Sequence, residues 1–452
     1  MKRVYFIGIG GIGMSALARF YRHAGYSVSG YDRTPSPLTR QLEKEGIDIH
    51  YEARTDLIPE EKEDTLVIYT PAIPSDMAEL AYVRERGYKV IKRSMALGEI
   101  TSGKRCLAVA GTHGKTTTTT LLAHILRHSG KDCSAFLGGI SKNYGSNLIL
   151  GKGDTAVVEA DEFDRSFLCL APETAVITSM DADHLDIYGS REGLMEAFGE
   201  FAGKVTGNLI VREDLEGFFR PRTKAAVYTY SLSSGGDFHA GDLTYDGKGH
   251  ISFGISYPGG STAGCMLGVP GRVNIENAVA AFAAAYLYGC PPDEIKSAMA
   301  SFRGAARRLE IRLETPECTY IDDYAHHPAE LAAAISSIRE IYPGKKICGI
   351  FQPHLYSRTR DFMDGFAESL GMLDSLILLP IYPAREKPIK GVTSGALLEK
   401  VGIKDRILTD KEKVIDELLR RQAGIVVTFG AGDIDRLAGP VEKALKERCS
   451  EK

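Results

Sequence analysis

Apolar residues dominate positions 3–9 (RVYFIGI), a run short enough for a strand and too short for a buried helix. The pattern predicts a buried parallel strand, with the helix 14–24 after it. Short apolar runs recur at 27–31, 65–69 and 89–91, separated by polar helical stretches. That alternation predicts a doubly wound parallel sheet. A second start comes at 104–110, where a strand runs into GTHGKTTTTTLLAHIL, and further strands are expected at 155–159 and 175–178. Residues 226–268 change character: Gly, Ser and Tyr alternate over short segments, which predicts an antiparallel extension. Residues 274–287 (NIENAVAAFAAAYL) read as an amphipathic helix. A third start lies at 320–323, followed by a helix over 328–341 and strands at 346–351, 375–379 and 424–429. The expected fold is α/β with three domains. Residues 1–102 form a Rossmann-like domain, 103–305 a phosphate-loop ATPase-like parallel sheet with an antiparallel extension, and 306–452 a second Rossmann-like domain.

Composition narrows the function classes. The 452 residues are 44% hydrophobic and 25% charged with a net charge of −4, an ordinary globular balance that gives no sign of nucleic-acid binding. Eight cysteines are scattered without a C-x-x-C pair, which points to reduced thiols in the cytoplasm and away from a disulfide frame or structural zinc. Glycines interrupt the apolar N-terminus and no stretch reaches membrane-span length, so neither a signal peptide nor a membrane segment is expected.

Four motifs carry chemistry. Gly8-x-Gly10-Gly11-x-Gly13 joins the first strand to the first helix, and Asp32 ends the next strand. Glycines let the backbone approach a pyrophosphate, the helix N-terminus offers N–H groups, and the carboxylate can take a ribose hydroxyl. That chemistry fits NAD, and it fits a UDP-sugar equally. Gly111-Thr112-His113-Gly114-Lys115-Thr116-Thr117 has the form of a phosphate loop, although Val109 stands where the general motif has its first glycine. Lys115 would neutralise phosphate charge, and the Thr116 hydroxyl would ligate Mg²⁺ of bound ATP. A third, acidic constellation comprises Glu159 to Asp164 and Asp181-Ala182-Asp183-His184, both at strand ends. The fourth is Asp322-Asp323-Tyr324-Ala325-His326-His327-Pro328 with Gln352-Pro353-His354 and Arg358-x-Arg360, a His and Arg set suited to an anionic substrate.

These strings, together with TPAIP (70–74), GRVNIENA (271–278), RRLEIR (307–312) and FGAGDI (429–434), resemble the Mur ligases along the whole chain. The resemblance implies an ATP-dependent amide ligase of peptidoglycan precursor synthesis. Its substrates would be the carboxylate of UDP-N-acetylmuramate and L-alanine, joined through an acyl phosphate by a cytoplasmic monomer or homodimer. It assigns Gly10, Gly11, Gly13, Asp32, Thr70 and Ala72 to the UDP-sugar. Gly111 to Thr117 would hold ATP, with Thr116, Glu159 and His184 as Mg²⁺ ligands. Asn274 and Asn277 are similar to the pair near the adenine, Arg308 to a residue that meets phosphates, and Asp323 to one that approaches the ribose. Lys115, His184, His326 and Arg358 would be catalytic, and His326, His354 and Arg358 would form the amino-acid pocket. Domain closure is expected, because Arg308, Asp323 and His354 lie in a different segment from the phosphate loop.

Two departures stand out. Family members carry Arg after the His of FQPH where this chain has Leu355, so Arg358 or Arg360 is expected to meet the alanine carboxylate. Residues 194–203 contain no lysine, so no carbamylated lysine is expected there. Rival readings are a murein-tripeptide recycling ligase using the same sugar nucleotide, an NAD-dependent oxidoreductase resting on Gly8–Gly13 and Asp32 alone, and a catalytically silent nucleotide-binding regulator.

Overall fold

The computed structural model describes residues 2–245, 251–384 and 386–450. Its contacts divide into two compact units, the first built mainly from residues 1–241 with 254–265 and 276–303, the second mainly from 304–452.

The first unit begins with a five-stranded, all-parallel sheet made of β1 (Arg3–Ile7), β2 (Ser27–Tyr31), β3 (Asp48–His50), β4 (Thr65–Tyr69) and β5 (Lys89–Lys92), in the order β3-β2-β1-β4-β5. The chain leaves β1 towards β2 on one side and returns to β4 on the other. A crevice therefore opens beyond the carboxyl end of β1, where Gly8 to Gly13 lie. Val4, Phe6 and Ile68 join one apolar cluster while Tyr5, Ile7 and Val67 join another, so both faces are covered.

The second sheet contains β6 (Arg105–Ala110), β7 (Cys133–Ser141), β8 (Ser146–Ile149), β9 (Thr155–Glu159), β10 (Thr174–Ile177), β11 (Asn208–Arg212), β12 (Ala226–Ser231), β13 (Phe238–Tyr245), β14 (Ile251–Tyr257) and β15 (Gly260–Met266). The order is β15-β14-β13-β12-β11-β10-β6-β9-β7-β8. β6 sits between β9 and β10 in parallel register, which brings the ends of all three to one edge. The antiparallel extension expected over 226–268 starts later, since β12 pairs parallel with both β11 and β13. β12 extends the parallel sheet by pairing with β11, because its tyrosines, alternating with Thr229 and Ser231, tolerate a half-covered place there as well as in a hairpin. The two-residue link between β14 and β15 can join only an antiparallel hairpin. Residues 246–250 of that segment lie outside the described residues.

The helix expected over 274–287 is Arg272–Tyr288, but it is not amphipathic: every residue from Ala278 to Ala285 is fully buried. Alanines occupy the turns where an amphipathic helix would carry charge, so all its faces can be enclosed.

The second unit holds a six-stranded sheet of β16 (Glu310–Glu314), β17 (Thr319–Asp323), β18 (Ile347–Phe351), β19 (Ser375–Leu378), β20 (Asp405–Leu408) and β21 (Ile425–Phe429), in the order β16-β17-β21-β18-β19-β20. Only β16 pairs antiparallel among the described pairings of this sheet. β17, β21 and β18 are adjacent, so DDYAHHP, FGAGDI and FQPH all emerge at one carboxyl edge. Among the described residues no helix is long and apolar enough to cross a membrane.

Candidate active site

The crevice beyond β1 is closely fitted. Gly8 has a positive φ of 88°, and a Cβ there would lie 2.6 Å from Thr70 Cγ2, so the loops after β1 and β4 touch. Ala72 is exposed on the turn after Thr70. Asp32 accepts hydrogen bonds from the Gly10 N–H (2.8 Å) and the Thr34 N–H (3.0 Å). Oδ2 thus braces the glycine loop while Oδ1 holds the turn after β2, a task that the sequence reading did not assign to this residue. Gly11 caps the helix Ile12–His23, whose first N–H groups open toward the crevice.

The phosphate loop starts at Gly111. Val109 is the fifth of six residues in β6, fully buried and paired with Glu159, so a glycine there would serve no turn. Gly111 (φ 129°) and Gly114 (φ 80°) make the turns. A Cβ on Gly111 would collide with Thr178 Oγ1, and one on Gly114 would lie 2.5 Å from Asn277 Oδ1. Thr112 Oγ1 shares a hydrogen bond with Ser179 Oγ (2.9 Å) and accepts from the Asp181 N–H (3.0 Å), while the His113 N–H donates to Ser179 Oγ (2.9 Å). The loop is therefore stitched to the end of β10. The helix Lys115–His128 follows at once, with Thr116 and Thr117 buried in its first turn. Free amides at a helix start are an anion site.

Lys115 Nζ donates to Gly111 O (2.6 Å) and to both oxygens of Glu162 (3.0 and 2.8 Å). Burial works against its charge, but Glu162, Asp161 and Glu159 outweigh burial and hold the ammonium above the ordinary lysine range. Thr116 Oγ1 donates to Glu159 Oε1 (3.1 Å), and the Gly138 N–H donates to Glu159 Oε2 (2.9 Å). His184 stands elsewhere in the cluster: its Nε2 lies 3.8 Å from Glu162 Oε1 and 3.7 Å from Asp183 Oδ2. Of the expected metal set, the Thr116 and Glu159 oxygens lie together, and the His184 imidazole lies near Glu162. Among the described residues no three His, Cys, Asp or Glu side chains form a metal-holding group. Two oxygen donors beside a phosphate loop suit Mg²⁺, which keeps several waters and takes phosphate oxygens as further ligands.

Three non-glycine residues here have left-handed backbones: Asp164 and Arg165 (φ 55° each) and His184 (φ 53°). Such conformations cost roughly 1–3 kcal/mol apiece and persist only where surrounding contacts impose them. The contacts are Lys92–Asp164 (2.8 Å), Arg165–Glu200 (2.9 Å), and the His184 N–H to Asp183 Oδ1 (2.8 Å).

In the second unit, Asp323 Oδ2 accepts from the Leu309 N–H (2.6 Å) and Oδ1 from the Ala325 N–H (2.7 Å). Burial pushes its carboxyl up to about 6, against the pull of Arg308. The Arg308 guanidinium lies 5.0 Å from the Tyr324 ring centre and 3.9 Å from Glu330. His326 Nδ1 is 3.0 Å from Tyr324 O, and its ring meets the His354 ring edge-on at 6.1 Å. His354 stacks on Tyr382 (5.8 Å) and its Nδ1 is 3.4 Å from Arg358 Nη1. Of the two candidate arginines, Arg358 is buried beside His354, whereas Arg360 is exposed and paired with Asp361 at 2.7 Å. Leu355 is buried with φ 70°, so its side chain belongs to the packing. Asn274 and Asn277 sit three apart on one helix, and Asn274 Nδ2 donates to Pro270 O (2.6 Å).

Three Mur ligase domain profiles match the chain in order: the family's catalytic domain over residues 3–105, the Mur ligase middle domain over 109–285 and the glutamate ligase domain over 307–432. The chain belongs to the Mur ligase family. It is 52% identical to the UDP-N-acetylmuramate–L-alanine ligase of Porphyromonas gingivalis, across 99% of this chain and 100% of that one. The same-named protein of Phocaeicola vulgatus is 49% identical over 96% of both chains. Among solved structures, the UDP-N-acetylmuramate-alanine ligase of Thermotoga maritima superposes with a TM-score of 0.84 at 27% identity, covering both chains completely. A murein peptide ligase from Psychrobacter arcticus shares the fold, with a TM-score of 0.73 at 24% identity over 98% and 99% of the two chains.

Two residues of this Mur ligase site escaped the sequence reading. Glu162 sits inside the acidic run Glu159 to Asp164, but nothing in spacing distinguished it from Glu159. Gly138 lies on β7, a strand with no sharp alternation to reveal it. A Cβ there would collide with the Glu159 carboxylate. Gly138→Ala is therefore expected to displace Glu159 and lower phosphate release roughly 10–100-fold, the usual cost of disturbing a residue that orients a ligand. Part of that loss should be recovered at high Mg²⁺. An unchanged Mg²⁺ half-saturation would show that Gly138 does not set the position of Glu159.

Proposed function

We propose that this Mur ligase joins L-alanine to UDP-N-acetylmuramate at the expense of ATP, and that it does so in the cytoplasm as a step of peptidoglycan precursor synthesis. The 52% identity across both full lengths to a ligase of that name carries the reading, and the phosphate loop beside the buried Lys115–Glu162 pair supplies its chemistry.

Amide formation from a carboxylate and an ammonium in water is uphill, so the acid must be activated first. A carboxylate oxygen attacks the γ-phosphorus, the bond to the bridging oxygen breaks, and ADP leaves. The alanine amine then attacks the acyl carbon and gives up a proton to solvent, and phosphate departs as the acyl C–O bond breaks. Lys115 and the amides at the helix start stabilise charge on the transferring group. Thr116 and Glu159 would hold Mg²⁺, which supplies Lewis-acid neutralisation of phosphate charge when bound. His184, next to Glu162, would complete the Mg²⁺ ligands. The glycine loop and the Thr70–Ala72 turn take the UDP moiety, with Asp32 fixing the loop. Asn274 and Asn277 serve the adenine, Arg308 the phosphates and Asp323 the ribose. His326, His354 and Arg358 receive the amino acid.

The test is phosphate release from ATP with UDP-N-acetylmuramate and one amine at a time. L-Alanine is expected to give the highest kcat/KM. Release with the L-Ala-D-Glu-diaminopimelate tripeptide and not with free alanine would overturn the reading in favour of a recycling ligase.

A further inference from the structure

The first unit contains two candidate anion sites, the glycine loop beyond β1 and the phosphate loop beyond β6, and one side chain lies against the first and against the acidic turn that faces the second. Arg93 opens the helix Arg93–Thr101 directly after β5. A Cβ at Gly13 would lie 2.7 Å from Arg93 Nη1, so this arm of the guanidinium backs the glycine loop at the helix start. The other arm, Nη2, donates to Asp161 Oδ2 at 2.9 Å. Asp161 in turn accepts from the Phe163 N–H (3.1 Å) through Oδ1, and its backbone oxygen accepts from the Phe167 N–H (2.9 Å). It thereby shapes the turn that presents Glu162 to Lys115. The preceding residue, Lys92, pairs with Asp164 in the left-handed part of that turn.

Charge gives this arrangement a consequence. Lys115 contacts Glu162 and lies in the field of Asp161 and Glu159, so three carboxylates act on one ammonium where a triphosphate must bind. Arg93 neutralises one of them from outside the phosphate-loop domain. We infer that Arg93 is a positioning residue linking the two sites: one arm sets the acidic turn that holds Lys115, the other sets the glycine loop. Only a planar fork can serve both directions at once; a lysine can serve one. The inference rests on the function proposed above, in which the two loops receive ATP and the UDP-sugar.

The test compares Arg93→Met, Arg93→Lys and Asp161→Asn. Arg93→Met is expected to raise KM about tenfold or more for both ATP and UDP-N-acetylmuramate, the scale of one lost charge-assisted hydrogen bond, while KM for L-alanine stays within about twofold. Arg93→Lys should restore KM for ATP and leave that for the sugar nucleotide raised. Asp161→Asn should raise KM for ATP alone. A merely structural role would move all three constants together or none, and either result overturns the inference, as does an Arg93→Lys indistinguishable from Arg93→Met. Calorimetric titration with ATP and, separately, with UDP needs no ligase reaction. Should the parent protein form no product with any amine, the functional reading fails while the titrations still decide on Arg93: weaker binding of both nucleotides to Arg93→Met supports the link, and unchanged binding overturns it.

Discussion

Lys115→Met is expected to lower ATP turnover in the presence of both co-substrates by roughly 10³-fold, the upper range for deleting one preorganised charge stabiliser. Lys115 is the cation at the start of the phosphate-loop helix, and its Nζ already lies within 3.0 Å of both Glu162 oxygens. The same substitution strands a carboxylate that is only 1% exposed, and breaking a buried pair from one side costs about 3–5 kcal/mol of stability. Activity and stability can be separated with the double variant Lys115→Met/Glu162→Gln. The neutral amide removes the stranded charge, so its thermal midpoint should recover most of the loss, while turnover should remain at the level of the single variant. Wild-type ATP consumption by a folded Lys115→Met protein would sink the phosphate-loop assignment.

The parts of the fold legible in the sequence share one physical cause. Central strands of parallel sheets are covered on both faces, so they stand out as continuous apolar runs; β4 and β9 have the bounds predicted, and β1, β6 and β21 differ by one or two residues. Helix Pro328–Ile341 was equally plain, since proline at its first position and Glu330 in its first turn mark the start. Edge elements were less legible, β5 (expected at 89–91) excepted. β3, β8 and β20 are three or four residues long, and register with a neighbour decides them more than their own sequence does. The helix Arg272–Tyr288 was found but misread, because alanine is neutral evidence on burial and only the tertiary fold encloses it.

The site divides in the same way. Backbone-defined features were visible, as glycines at Gly8, Gly111 and Gly114 announce positive φ. Side-chain partnerships were not. Asp32 braces a loop, Glu162 takes Lys115, and Arg93 joins two loops through contacts 22, 47 and 68 residues apart in sequence. Strings locate loops on a sheet edge; they do not say which of several carboxylates faces a given cation.

Leu355 leads to the second large effect. A family arginine is absent there, and the backbone at this position (φ 70°) turns the leucine into the packing, with its N–H donating to Tyr382 O at 3.0 Å. Arg358, three residues on, is buried against His354, whose ring stacks on Tyr382. A buried guanidinium beside an imidazole is a receptor for a small carboxylate, which it can grip through two parallel hydrogen bonds. Arg358→Met should therefore raise KM for L-alanine roughly 100-fold, corresponding to about 3 kcal/mol for a charge-assisted bidentate contact, with KM for ATP within about twofold of the parent. Arg358→Lys keeps the charge without the fork and should recover about tenfold of that loss. Arg360→Met, which removes an exposed partner of Asp361, should leave all constants unchanged. If Arg360→Met rather than Arg358→Met weakens alanine, the carboxylate binds outside the His354 pocket.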